Sequence, residues 1–370
     1  MAYKKITVSN RMKSLREKLR KIEKEIAIFD FKKGSSNNNE QPYDVRETTS
    51  YLPEEPVGRD EEKQEIINLL SANTISDELV IVAIYGLGGM GKSTLAQLVY
   101  NDAQFKKYDY RIWVYVSQDF NLNKIGSSII SQLPTKGQQN MGTQQVMKQN
   151  LDILLHDKTV LVVLDDLWEE NMTELGKLRM MLHVKGSMVD VIVTTRKKEI
   201  AMEVSTGKPY NLQSLEDDKC WEIIKRSSKF ELKSNQEKME QVGLNIAKKC
   251  GGVALAAQAV GFMLRAIDDL SGWTDINNSD IWNGSSEASD VLPSLKLSYE
   301  RMPPQLRICF SYCAIFPKGH NIIEDDLIQQ WNALDFIEQS KGKECINKLL
   351  GMSFLQVSKL PSVCNEIILL

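Results

Sequence analysis

Residues 78–93 read ELVIVAIYGLGGMGKS, an apolar, β-branched run that breaks into glycines and ends on lysine and serine. Gly86, Gly91, Lys92 and Ser93 fit the pattern GxxxxGK[ST], with Gly88 and Gly89 between them. Glycines let the backbone curl until successive N–H groups point at one centre, and a helix that follows adds its positive end. Lys92 is then expected to reach the β- and γ-phosphates of a nucleotide, and Ser93 to offer its hydroxyl to Mg²⁺. Such a loop functions between a strand and a helix, which restricts the chain to an α/β fold built on a P-loop parallel sheet.

Three further apolar runs, YRIWVYV (110–116), TVLVVL (159–164) and DVIVTT (190–195), alternate with helical text. Strands this apolar must be covered on both faces. TVLVVLDDLW delivers Asp165 and Asp166 at the C-terminal end of its strand, where ligands of open α/β sheets collect. Asp165 is expected to hold Mg²⁺ together with Ser93, and Asp166 to orient or deprotonate an attacking water. The plainer alternative is a pair of solvated strand-end carboxylates. Arg196 follows DVIVTT and arrives at the same edge, either to sense a γ-phosphate or to form an ordinary surface ion pair. Trp113 and Trp168 read as packing residues.

The remaining text divides into segments. Met12, Leu15, Leu19, Ile22, Ile26 and Phe29 recur at heptad spacing, so 1–31 reads as a helix with a coiled-coil seam, too short to stand free and expected to pack on something in this chain or in a partner. Its basic face is either simply solvated or a contact for an anionic membrane surface. Ser/Asn-rich text makes 32–50 a linker. The P-loop domain takes 51–213, a helical subdomain 214–285 and a third unit 286–370, with a Gly/Ser/Asn-rich break near 271–290. Six cysteines without a CxxC pair, and no signal peptide or membrane span, point to a reducing intracellular compartment, with the cytoplasm expected and a membrane-peripheral or nuclear location as alternatives. Cys309 and Cys313, four positions apart, read as buried thiols in preference to half a metal site with His320. A net charge of -3 argues for no strong electrostatic partner.

The order of these motifs resembles the nucleotide-binding (NB-ARC) module of plant intracellular immune receptors, the class with an N-terminal coiled coil and C-terminal leucine-rich repeats. GLGGMGKSTLA, RIWVYVSQDF, LVVLDDLWEE, VIVTTRKKEIA, YNLQSLEDDKCWEIIKRSSKF, CGGVALAAQAVG and LKLSYERMPPQLRICFSYCAIFP follow one another as the family's motifs do, and PVGRDEEKQEII resembles the segment over the adenine. The resemblance covers about 50–360. It makes 1–31 the tail of a coiled coil, with a helical or receptor partner, and 286–370 an incomplete winged-helix subdomain. It implies a signal-transduction ATPase that rests with ADP as a closed monomer, opens on exchange for ATP, and self-associates when active. Carried over, Val57 and Arg59 approach the base or ribose. Gly89, Gly91, Lys92, Ser93 and Thr94 line the phosphates, Asp165 and Asp166 stand at the metal, and Arg196 stands at the γ-phosphate.

Three departures accompany it. Ala254 occupies the place of a proline that meets the nucleotide, which implies a looser closed state or weaker binding. The chain stops at Leu370 before a Met-His-Asp motif, which implies an incomplete ADP lock. No leucine-rich repeats follow. No segment plainly supplies an arginine finger, whose absence slows hydrolysis by roughly 10³–10⁵. A slow switch in plant defence is therefore favoured over a motor, with a non-hydrolysing adaptor or decoy as the alternative. Nucleic acid is disfavoured as a partner, because 324–339 carries five acids and no Lys or Arg.

Overall fold

The run ahead of the glycines forms β1 (Leu79–Tyr85). It lies in a five-stranded sheet of order β2-β3-β4-β1-β5. The other strands are β2 (Tyr110–Tyr115), β3 (Thr159–Leu167), β4 (Met188–Thr195) and the short β5 (Tyr210–Asn211), and every pairing is parallel. The structure, a computed structural model, describes residues 56–71, 79–116, 120–134, 143–280, 282, 292–316, 321–357 and 366–369. All of them belong to one compact unit, Val45–Leu370. The coiled-coil tail expected at 1–31 and the linker at 32–50 lie outside the described residues, as does His320.

Successive strand residues face opposite sides, and both sides are buried, which explains the lack of polar alternation. Ile81, Ala83, Val162, Leu164 and Val191 pack under α3 (Leu122–Ser131), α4 (Gln144–Leu155), α5 (Met172–Leu182) and α6 (Lys198–Val204). Val80, Val82, Ile84, Leu161 and Ile192 pack under α1 (Asp60–Ser71) and α2 (Lys92–Tyr100). Each such valine, leucine or isoleucine contributes about 1.5–3 kcal/mol when fully buried. Trp113 joins the second core, edge-on to Tyr100 at 5.6 Å between centroids.

One topological choice positions the site. β4 lies between β1 and β3, so the chain leaving β4 emerges between the glycine loop and the acidic strand end. Leu164 pairs with Val193 but Leu167 pairs with Thr195, which leaves one extra residue on β3. This bulge coincides with Asp166, whose φ is 60°. Asp is among the few residues that adopt this left-handed conformation readily, and a bulge re-aims the side chains beside it.

Beyond the sheet come α7 (Asp217–Ser228), α8 (Gln236–Lys249), α9 (Ala254–Leu264) and α10 (Leu270–Asn277). Their core is aromatic: Trp221 meets Phe230 at 5.0 Å and Trp273 at 6.3 Å between centroids. Here the structure corrects the sequence reading, because α10 occupies text read as part of a Gly/Ser/Asn-rich break. Asp269 caps it by accepting from Gly272 N at 2.7 Å, and Trp273 and Ile276 are fully buried. Cap and anchor together outweigh the poor helix propensity of LSGWTDIN.

The C-terminal part holds α11 (Leu292–Glu300), α12 (Pro304–Cys313), α13 (Glu324–Ala333) and α14 (Gly342–Gly351). A small antiparallel sheet of order β6-β8-β7 joins β6 (Asn321–Ile323), β7 (Leu355–Val357) and β8 (Glu366–Leu369). Trp331, Leu327 and Ile346 fill its core, where Cys309 and Cys313 are buried thiols. The architecture is a P-loop parallel sheet followed by a helical layer and a winged-helix unit.

Candidate functional site

The loop between β1 and α2 carries Gly86, Gly88, Gly89 and Gly91. Gly91 caps α2 in the left-handed region, at φ 95° and ψ 27°. The first turn of α2 places Lys92, Ser93 and Thr94 where backbone N–H groups lack intrahelical acceptors, a ready seat for an anion. Lys92 Nζ donates to Gly86 O at 2.9 Å and Leu87 O at 2.7 Å, so the ammonium is held inside the loop. Burial, and then the Arg196 cation, bring its pKa down to about 8, against an upward pull from Asp166 and Asp165.

Asp165 is 2% exposed at the end of β3. Its Oδ1 accepts from Ser93 Oγ at 2.7 Å and from Thr194 Oγ1 at 2.5 Å. Thr194 Oγ1 in turn accepts from Asp166 N at 2.9 Å, which holds the bulge against β4. Glycine loop, acidic strand and middle strand therefore meet on one carboxylate. A serine hydroxyl beside a carboxylate is a hard oxygen donor set, and it fits Mg²⁺.

Arg196 projects from the end of β4 into the same place. Its Nε lies 3.7 Å from Asp166 Oδ1, and its guanidinium carbon stands 4.8 Å from the centre of the Trp168 ring. On its other side a Cβ added to Gly88 would sit 3.4 Å from Arg196 Nη1. The cation is thus sandwiched between the loop and an indole. The sequence reading made Trp168 a packing residue; the ring instead supports the arginine.

Val57 and Arg59, expected at the base or ribose, lie just ahead of α1. Val57 is half-buried, just ahead of Gly58, where a Cβ would meet the Lys219 side chain at 3.0 Å. Arg59 is 4% exposed and turns its guanidinium to protein groups: Met90 O at 3.0 Å, Gln213 O at 3.1 Å and the Glu62 carboxylate. Ala254 opens α9, and the next residue makes the direct link to the loop, Leu255 N donating to Gly89 O at 3.0 Å. Thr194 and the Leu255 N–H had no assigned role in the sequence reading, and Trp168 had only that of packing. Only Thr194 carried a signal, as a hydroxyl at a strand end beside Arg196, and its role depends on which strand neighbours β3.

Residues 59–233 match the family model of the NB-ARC domain, and 315–366 match that of the Disease resistance protein Winged helix domain. The chain is 35% identical to Putative disease resistance protein RGA1 of Solanum bulbocastanum, over 94% of its own length and 36% of that protein's. It is 36% identical to Disease resistance protein RGA2 of the same species, over 80% of this chain and 31% of that one. Putative disease resistance RPP13-like protein 1 of Arabidopsis thaliana is 32% identical, over 87% of this chain and 32% of that one. The chain thus spans about a third of the length of these relatives. Among solved structures, the Signal Transduction ATPase with Numerous Domains (STAND) protein with a tetratricopeptide repeat sensor from Pyrococcus horikoshii superimposes with a TM-score of 0.54 at 13% identity. That match covers 89% of this chain and 43% of the other, and at such identity it speaks for the fold alone. The chain belongs to the NB-ARC family of nucleotide-binding modules, with a disease-resistance winged-helix domain following it.

Proposed function

We propose that this chain is the ADP/ATP-dependent switch of a plant disease resistance protein, resting with ADP, active with ATP, and hydrolysing slowly. The observation that carries this reading is the hydrogen bond from Leu255 N to Gly89 O. It joins the phosphate loop to the helical layer, so a change in what the loop holds has a route to the packing of the next unit. A switch needs such a differential contact between its states.

In this reading Lys92 and the first turn of α2 hold the phosphates, and Ser93 and Asp165 hold Mg²⁺. When bound, magnesium neutralises charge on the β- and γ-oxygens. Asp166 is the residue nearest to serving as a water-orienting base, but Arg196 faces the same carboxylate. That competition, and the lack of an arginine finger in the reading of the sequence, favour slow turnover and long nucleotide residence. Arg196 is positioned to distinguish ATP from ADP, and ATP-bound chains are expected to self-associate. The names of the relatives support a role in plant immunity; a cytoplasmic location, or one peripheral at a membrane or nuclear, belongs to the same proposal. Among the described residues no helix is long and apolar enough to cross a membrane.

A second reading, an adaptor or decoy that keeps the fold without nucleotide chemistry, is favoured by Ala254 alone. The nucleotide content of freshly purified protein separates the two. Stoichiometric ADP, lost at least a hundredfold in Lys92→Ala without loss of the folded state, is the result expected of the switch. An empty wild-type site that gains no thermal stability from added ADP would leave the decoy.

A further inference from the structure

Arg59 is buried, and its guanidinium is held by three protein acceptors. One nitrogen, Nη2, donates both to Met90 O in the phosphate loop and to Gln213 O in the segment that leaves β5. Its Nη1 pairs with Glu62, in the first turn of α1. We propose that Arg59 is a positioning residue, a buried clamp that ties the phosphate loop to the base of the helical layer, so that loop geometry and the docking of α9 change together. The consequence for nucleotide rests on the switch reading above; the clamp itself does not.

The argument is a closed circuit of short contacts. Two residues past Gln213, Leu215 N donates to Gly252 O at 2.9 Å. That approach requires glycine: φ of Gly252 is 74°, and a Cβ there would fall 2.5 Å from Leu215 O. From Gly252 the chain turns into α9, where Leu255 N donates to Gly89 O. Gly89 also has a positive φ, 76°, and a Cβ there would meet Leu255 Cβ at 2.9 Å. Gly89 precedes Met90, whose carbonyl returns the circuit to Arg59. Every other hydrogen bond in the circuit is backbone to backbone, so Arg59 is its one side-chain link.

A guanidinium suits this place because its planar fork serves several fixed acceptors at once, whereas a lysine ammonium is a compact point charge. Met90 O and Gln213 O both accept from the one Nη2, and buried acceptors left without donors are costly. Glu62 supplies the countercharge that a buried cation needs. The Gly89 and Met90 carbonyls are successive along the loop, so a displacement of the loop there moves two acceptors together, one for Leu255 and one for Arg59.

The test is residue-resolved hydrogen exchange on the full chain freed of nucleotide. In the wild type the Leu215 and Leu255 amides are expected to open as one unit, with rates within about threefold of each other after correction for intrinsic exchange. In Arg59→Met and Arg59→Lys both amides should exchange at least tenfold faster, with lysine giving no rescue. A fluorescent ADP analogue should then leave either variant about tenfold faster than the wild type. Glu62→Gln keeps both carbonyl bonds and should change exchange less than threefold. Independent opening of the two wild-type amides, with rates more than tenfold apart, overturns the clamp, and needs no variant to fold. Full rescue by lysine also overturns it. So does an Arg59→Met protein with unchanged exchange that has lost its preference for ADP over GDP, which would make Arg59 a contact to the base. Because exchange is read without nucleotide, failure of the switch reading leaves this outcome independent.

Discussion

Ser93 donates its hydroxyl to Asp165 Oδ1 at 2.7 Å across 72 positions of sequence. The first turn of α2 and the end of β3 are therefore held together by protein groups alone, and two oxygen donors stand ready at one point. Preorganisation of this kind lowers the cost of gathering ligands around an ion.

Thr194 stabilises that point more than its size implies. Its hydroxyl donates to Asp165 and accepts from Asp166 N, and the residue is buried. Thr194→Val removes one donor from a buried carboxylate and the acceptor of a bulge N–H, which is expected to cost about 2–3 kcal/mol. Urea unfolding should show this as a lower midpoint with an unchanged slope, while Thr194→Ser stays within about 1 kcal/mol of the wild type. A Thr194→Val midpoint equal to that of the wild type would refute the hub.

Lys92 titrates near pH 8 because burial and Arg196 disfavour its charge. A bound phosphate anion favours the charged form and raises that pKa, so binding takes up a proton once the pH exceeds about 8. Affinity for ADP should be nearly flat from pH 6.5 to 7.5 and fall about fivefold between pH 8 and 9. Calorimetric titrations in buffers of different ionisation enthalpy would report the uptake directly. A constant affinity up to pH 9 would mean that Lys92 stays away from the phosphates.

The indole under Arg196 is expected to matter for discrimination between nucleotides. A cation over a ring at a partly exposed site is worth about 0.5–1 kcal/mol. Trp168→Leu should therefore reduce the ratio of ATP to ADP affinity by about two- to fivefold, and Arg196→Ala should reduce it further. Competition binding measures both, and equal ratios in wild type and Trp168→Leu would rule out a supporting role for the ring.

At the opposite end of β4, Asp190 is 1% exposed and accepts from Tyr108 OH at 2.5 Å. Burial pushes its carboxyl up to about 6, only partly offset by the tyrosine. The native state thus holds the proton more tightly than the unfolded chain, whose Asp titrates at about 3.9. Stability from this group is fully present below about pH 4 and is lost as pH rises through about 6, by on the order of 2–3 kcal/mol. Asp190→Asn keeps an acceptor for Tyr108 and should remove that slope. The difference in unfolding free energy between variant and wild type, followed from pH 4 to 8, should grow in favour of the variant; a constant difference would contradict the assignment.

Contiguous residues made much of this site legible. Glycines at 86, 88, 89 and 91 before Lys92 and Ser93 fix a backbone curl and a helix start within a few residues, so the phosphate loop can be read locally. The apolar runs ending in Asp165–Asp166 and in Arg196 are equally local, since a strand buried on both faces declares itself in composition. α10 was misread because one buried tryptophan and one capping aspartate outweighed a weak propensity, and propensity alone does not register packing.

The sequence by itself determined the P-loop, the parallel sheet and the identity of the groups that reach its edge. The tertiary structure alone decided their partners. Strand order places Thr194 beside Asp165, the β3 bulge turns Asp166 toward Arg196, and the fold carries Arg59 to a carbonyl 154 positions away. The reason is physical: a loop or helix start is set by dihedral preferences of neighbouring residues, whereas strand order and contacts between layers are settled by how distant apolar faces pack and which buried polar groups then find each other.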